Sequence, residues 1–362
     1  MAVDQKNAGA VTYVPGSDIS ELLAPRPRVQ PLAGFDEDYA DFVDYIIKCT
    51  HRIWEEKNLG LIYTHYTHNC LVHTLGGQTY GAEEVVQNTL RTLAAFPDRT
   101  LYGDHVIWGG DEVAGFYSSH RITSFMTNLG PSEFGPATGK RVRTTTIADC
   151  AVKANRIYEE WLVRDNSWIA RQLGLDPVEV ARSQAAAMPK AAHEEWRLGE
   201  IDRVLGQVAP EAAEIPRDAA EDPEAFARAV FQEIWNRRMF GAVRQIYSPS
   251  TRLEAPNGRR LFGHGEIIGW IVALLATVPD ARVTVDHVCA VPNGQPGGVD
   301  IAVRWSLAGT HKGPALYGAP TNRRLLILGV THWTVAAGRI TGEWTIFDEL
   351  AVLRQTFGAP GA

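Results

Sequence analysis

One pattern constrains this chain more than its composition does: it writes the same sentence twice. Residues 160–174 read EWLVRDNSWIARQLG and residues 343–358 read EWTIFDELAVLRQTFG, so each Trp is followed four residues on by Asp and seven later by Gln. A true internal repeat recurs elsewhere at matching offsets, and this one does. Trp54 and Trp235 each end a run with helical spacing, Phe42, Ile46, Cys49 and Ile53 in the first and Phe226, Val230 and Ile234 in the second. TYGAEEV (79–85) matches LFGHGEI (261–267), and FPDRTLYGDHV (96–106) matches VPDARVTVDHV (278–288), with Pro97 and Pro279 each sixteen residues after the matching Gly. FGPATGKR (134–141) pairs with YGAPTNRR (317–324), and the length differences fall before these loops, where PNGQPGG (292–298) marks a turn. Two copies follow, at 36–175 and 222–362. An extended N-terminal arm (1–35) able to cover a neighbour precedes them, and a helical then flexible linker (176–221) joins them.

The 362 residues, 45% hydrophobic and 21% charged, are ordinary globular composition with length for two domains. A net charge of -7 without a dense Lys/Arg stripe argues against nucleic acid as a partner. The opening MAVDQKNAGAVTYVPGSD lacks the basic start and apolar core of a leader, and no run is apolar enough to span a bilayer. A soluble, cytoplasmic protein with no membrane partner is expected. Cys49, Cys70, Cys150 and Cys289 have no paired spacing and read as buried free thiols. Neither a phosphate-cradling glycine loop nor a serine nucleophile motif is found, so chemistry without a cofactor is what remains.

Within each copy the pattern predicts a helix, a shorter helix, and a third helix ending at the Pro-Asp turn. Three or four strands and a terminal helix follow. The strands are HVIWGGDEVAGFYSSHRIT, KRVRTTTIADCAV and NRIYEEWLV, with turns at Gly109-Gly110 and around Ala154-Asn155. Helices first and antiparallel strands after is an α+β order. The expectation is two tandem cone-shaped domains, each a curved, mostly antiparallel sheet wrapped around its N-terminal helices.

The stretch from AAFPD through the ATGKRV loop to EEWLVRD and RQLG resembles the SnoaL-like polyketide cyclases of the nuclear transport factor 2-like superfamily. The resemblance covers most of the first copy. The second departs from it, with Asn322 where the first has Gly139, and looks like a diverged duplicate. The resemblance implies cone-shaped domains and an aspartate serving as acid/base in an intramolecular aldol closure, with a histidine on a neighbouring strand. Asp165 matches that aspartate, as does Asp348 in the second copy. His332, sixteen residues before Asp348, matches the histidine, and Asp149 stands at the equivalent place in the first copy. The superfamily also holds isomerases, dehydratases, hydrolases and non-catalytic binders, so fold alone does not choose among them.

The residues suggest chemistry of their own. Trp161, Val163 and Asp165 share a strand face by period two, so Asp165 ends an apolar face. If that face lines a cavity, burial raises its pKa and suits it to move protons next to a carbonyl, with Asp149 or His120 as acid partner. The alternative is architectural: Asp165 and Asp348 each precede a helical run stopped by Gly174 or Gly358, the place of an N-cap. Tyr66 can donate to an enolate oxygen or merely pack. His65, His68 and His73 lie close in sequence, yet no zinc-helix motif is present and no metal is expected. His73, Trp161, Asp348 and His332 are candidate ligand contacts. The resulting expectation is a cofactor-independent cyclase, isomerase or dehydratase acting on a small, largely apolar carbonyl compound in the first copy. A binding or scaffold protein is the alternative, and a hydrolase with Arg121 or Arg143 beside Asp149 a further one. The copies would form an intrachain pseudo-dimer, with a homodimer open besides.

Overall fold

The computed structural model describes residues 23–187, 191–206 and 211–357. The start of the N-terminal arm, parts of the linker and the Gly358 stop lie outside the described residues. The chain divides into two compact units, residues 1–164 with 172–174, and residues 165–171 with 175–362. The helix after the first EW segment is thus shared, most of it counting with the second unit.

The first unit opens with α1 (Phe42–Trp54), whose N-cap Asp41 accepts the Asp44 amide at 2.8 Å. Its Phe42, Ile46, Cys49 and Ile53 are buried, as the helical spacing requires. A 3-10 turn (Leu59–Leu61) and α2 (Ile62–His65) lead into β1 (Tyr66–Thr74) and β2 (Gly77–Tyr80). Next come α3 (Ala82–Ala95), β3 (Thr100–Asp111), β4 (Gly115–Thr127), β5 (Arg141–Lys153) and β6 (Arg156–Arg164). The shared helix is α4 (Asn166–Gln172). The linker contains α5 (Pro177–Ala187) and α6 (Ala191–Leu205), and Arg197 of α6 donates to the Arg324 carbonyl of its own unit at 2.7 Å.

The second unit repeats the order. It has α7 (Pro223–Val230) running into a π-helical turn (Phe231–Asn236), then α8 (Val243–Ile246), β7 (Tyr247–Ala255), β8 (Arg259–Phe262) and α9 (Gly263–Thr277). β9 (Arg282–Pro292), β10 (Val299–Thr310), β11 (Arg324–Ala336), β12 (Arg339–Phe347) and α10 (Glu349–Gln355) complete it. The repeated glycine of TYG and LFG has a backbone reason. Gly81 (φ +87°) and Gly263 (φ +69°) open α3 and α9 in the left-handed region, and an added Cβ would sit 3.1 Å from the carbonyls of His68 and Pro249 respectively.

Each sheet has six strands rather than three or four, in the orders β2-β1-β6-β5-β4-β3 and β8-β7-β12-β11-β10-β9. The unforeseen pair is the hairpin between the short helix and the third. Pairing is antiparallel except between β1 and β6 and between β7 and β12. The cone is a correction. The sheets are open, with β2 and β3, or β8 and β9, left as separate edges, and they do not curl round to meet. Closure requires the edges to pair, and the four-residue β2 offers little to the twelve-residue β3. The β3–β4 turn also moves, from Gly109-Gly110 to residues 112–114, where Asp111 Oδ1 accepts the amides of Val113 and Ala114 at 2.8 and 2.7 Å.

The described part of the arm folds onto the first unit. Val29 donates to the Ala40 carbonyl at 2.9 Å, Gln30 accepts the Phe42 amide at 2.8 Å, and Phe35 packs edge-on against Tyr45. Among the described residues, no helix is long and apolar enough to cross a membrane.

Candidate active site

Strand register sorts the candidates onto two faces of the first sheet. Ser119, Asp149, Trp161 and His73 lie opposite one another in a row across β4, β5, β6 and β1. On this face Tyr117 Oη and Ser119 Oγ both donate to the buried Asp149 carboxylate at 2.5 Å. His73 stacks on Trp161 at 5.2 Å and makes a 2.9 Å contact with Glu159. Arg121 shares the face, its guanidinium 4.0 Å from Asp104, whereas the Arg143 backbone is tied to Gln172.

The other face carries Ser118, His120, Ile122 and Ser124 of β4, Thr144, Thr146 and Cys150 of β5, and Glu160, Leu162 and Arg164 of β6. It is the face beneath α1, because the Glu160 carboxylate acts electrostatically on Cys49 of that helix and on Cys150. Glu160 is the residue the sequence reading missed. Tyr66 Oη donates to its Oε2 at 3.0 Å and is its one hydrogen-bond donor among the described residues, so Oε1 is left without a partner there. Burial, opposed by the Tyr66 bond and the nearby Arg164, pushes the Glu160 carboxyl up to about 7. Burial and the Glu160 charge in turn hold the Tyr66 hydroxyl protonated far above its ordinary range.

His120 lies on the same face, buried near Ile47, which would also crowd a Cβ added at Gly103. Burial, with the charges of His105 and Arg121, lowers it to about 3, so the imidazole is neutral at physiological pH. Its Nε2, the hydroxyls of Thr144 and Thr146 and Nε of Arg164 are buried without a hydrogen-bond partner among the described residues. Buried polar groups without partners are uncommon in native cores.

Asp165 is elsewhere. Its Oδ1 accepts the Trp168 amide at 3.2 Å, capping α4, and the Asn257 amide at 2.8 Å, while Oδ2 accepts the Gly258 amide at 3.1 Å. Asn257 and Gly258 form the tight β7–β8 turn with φ of 66° and 67°. Burial outweighs these bonds and raises the Asp165 carboxyl to about 6. Asp348 caps α10 through the Ala351 amide at 3.0 Å and accepts from Asn166 Nδ2 at 2.7 Å. His332 is buried opposite Trp344, the place Asp149 holds opposite Trp161. The structure therefore brings Tyr66 and His120 to one face with Glu160. Asp149, Trp161 and His73 are set on the other, and Asp165 against backbone amides. The three clustered histidines are also apart in role: His65 is buried on Tyr39 Oη at 2.7 Å, His68 is exposed, and His73 faces Glu159.

The family model of the SnoaL-like polyketide cyclases matches residues 45–173 and again 225–356. The chain belongs to that family. Similar solved structures each span about one copy. A SnoaL-like protein of Jannaschia sp. CCS1 is 22% identical over 41% of this chain and 98% of its own, with a TM-score of 0.35. TsrD of Streptomyces laurentii is 19% identical over 36% of this chain and 94% of its own, with a TM-score of 0.33. None of the curated proteins compared with the chain matches it. Membership of the SnoaL-like family supports an enzyme acting on a small molecule without a cofactor, and two copies in one chain are consistent with an intrachain pseudo-dimer.

The two SnoaL-like copies differ in what they place beneath their helices. Register equates Ser118, His120 and Ser124 with Ile301, Val303 and Leu307, and Thr144, Cys150 and Arg164 with Ile327, Trp333 and Phe347. Trp235, Trp305, Trp333 and Phe347 join Phe231 and Trp270 in one aromatic cluster with centroid spacings of 5.6–6.4 Å. Glu343 keeps its tyrosine, Tyr247 donating at 2.7 Å, but its other oxygen accepts Thr345 Oγ1 at 2.6 Å. Leu162 stands at that place in the first copy and leaves Glu160 Oε1 open.

Proposed function

We propose that the first copy is a cofactor-independent acid/base enzyme that moves a proton on a small carbonyl compound, with Glu160 as the proton-carrying group. The observation that supports this reading best is a buried carboxyl with one oxygen free of partners among the described residues, near buried polar groups that also lack partners, in the copy that has His120, Thr144 and Cys150 where the other has Val303, Ile327 and Trp333. A carboxyl poised near 7 takes a proton from carbon next to a carbonyl and can return it to another atom in the same turnover. Tyr66 holds its Oε2 and leaves Oε1 free to take a proton. Neutral His120 and the Thr146 hydroxyl are placed to donate to the developing enolate oxygen, work that is most effective where water is excluded. Cyclisation, isomerisation and elimination share this proton movement. Asp165, in this reading, positions a helix and a turn, and the second copy is the non-catalytic partner.

The test is solvent-deuterium exchange at the α-carbon of cyclic ketones and β-keto acids, followed by mass spectrometry. Wild type should accelerate exchange with a rate rising as pH passes about 7, and Glu160→Gln should lose roughly 100-fold or more with its fold intact. Exchange by Glu160→Gln at the wild-type rate would sink the assignment.

A further inference from the structure

Arg99 has no role in the proton transfer proposed above, and its surroundings are unusual. It is 5% exposed, its guanidinium stacks over the Trp54 ring at 4.3 Å, and Nε and Nη2 both donate to Ser124 Oγ, at 3.3 and 3.1 Å. No carboxylate pairs with it among the described residues, and the charge it does feel is that of a second cation, Arg164. Burial and that neighbour lower Arg99 to about 9, still protonated at neutral pH. Arg164 points into the same interior with Nε unpartnered, across from Thr146 in the ladder, and the Thr144 hydroxyl beside Ser124 is also unpartnered. Arg164 is half-buried and also feels the Glu160 carboxyl, whereas Arg99 is buried without a carboxylate partner among the described residues, and an unpaired buried charge is costly to keep.

We propose that Arg99 and Arg164 form a carboxylate-binding subsite beneath α1, so that the substrate is a keto acid whose carboxylate they hold while its carbonyl end faces Glu160. The planar fork of a guanidinium matches a carboxylate in two-point contact, and Ser124 already fixes one edge of the Arg99 fork. The Thr144 and Thr146 hydroxyls supply further donors, and Trp54 forms an apolar wall for the carbon skeleton. The second copy supplies an internal contrast: Ala281 and Phe347 stand where Arg99 and Arg164 would be, and Leu307 and Ile327 where Ser124 and Thr144 would be. The whole polar set is lost together, as expected of a set with one ligand.

This inference rests on the first copy's interior being the substrate site, and calorimetric titration of the full chain separates the two. Benzoate should bind at least tenfold more tightly than its neutral isostere benzamide. Arg99→Ala and Arg164→Phe, the residues of the second copy, should each remove that preference, with Arg99→Met keeping the stem on Trp54 if the alanine variant does not fold. Glu160→Gln should keep the preference for benzoate over benzamide. Equal binding of benzoate and benzamide, wild-type benzoate affinity in Arg99→Met, or binding of inorganic phosphate in place of benzoate would overturn the proposal. If Glu160→Gln retains proton exchange while benzoate binding still depends on Arg99, the subsite stands and the acid/base assignment falls.

Discussion

At the scale of the residue, Glu160 ties chemistry to stability. Its folded carboxyl, pushed by burial from an ordinary 4.5 to about 7, holds its proton more tightly than the unfolded chain does. The stability it contributes is therefore full below about 4.5 and is lost as pH rises through about 7, amounting to as much as about 3 kcal/mol. Glu160→Gln lacks this dependence. Its thermal midpoint relative to wild type should climb between pH 4.5 and 8, and a flat difference would mean that the carboxyl is not desolvated. Asp165, also raised, to about 6, changes both proteins alike and cancels in the comparison. Glu160 was legible in part. The alternation that puts Trp161, Val163 and Asp165 on one face puts Glu160 on the other, but a strand pattern does not say which face the helices cover.

At the scale of the element, the repeated Glu-Trp, Asp and Gln resolve into three jobs. Glu160 and Glu343 accept from Tyr66 and Tyr247, and Asp165 and Asp348 cap helices. Gln172 accepts the Arg143 amide at 2.9 Å and donates to the carbonyl of the same residue at 2.7 Å. Gln355 does the same to Leu326 at 2.8 and 2.9 Å. Each glutamine thus acts as one more rung of a strand ladder. Asp348→Ala should cost about 1–2 kcal/mol, the worth of a cap and of the Asn166 side-chain bond. Asp165→Ala should cost more, about 2–4 kcal/mol, because the Asn257 and Gly258 amides lose their acceptor as well. Urea unfolding of the two variants decides this, and equal losses would mean that the turn contacts contribute nothing. The caps were legible because an Asp before a helical run is a local signal. The glutamine clamp was not, since its partner lies 29 residues away. Nor was the open sheet, because closure depends on whether two edge strands meet.

At the scale of the whole molecule, the two copies differ beneath their helices, where Ser118, His120, Thr144 and Arg164 of the first stand at the places of Ile301, Val303, Ile327 and Phe347 of the second. The repeat could be read by matching offsets. The difference between the two interiors could not, because it depends on which strand positions face the helices, and register supplies that. The two interiors should respond oppositely to substitution. Trp305 is 1% exposed and surrounded by Phe231, Trp235 and Phe347, so Trp305→Ala opens a cavity and should cost about 3–5 kcal/mol. Measured where the chain is still folded, it should leave ketone exchange unchanged. His120→Val, which installs the second copy's Val303, removes a buried imidazole whose Nε2 has no partner. It should hold or raise the thermal midpoint while lowering exchange, the trade expected where function is kept at a cost to stability. Calorimetric scans and exchange rates on both variants form the check. Loss of exchange in Trp305→Ala, or a lowered midpoint with full exchange in His120→Val, would place the chemistry in the second copy and the architecture in the first.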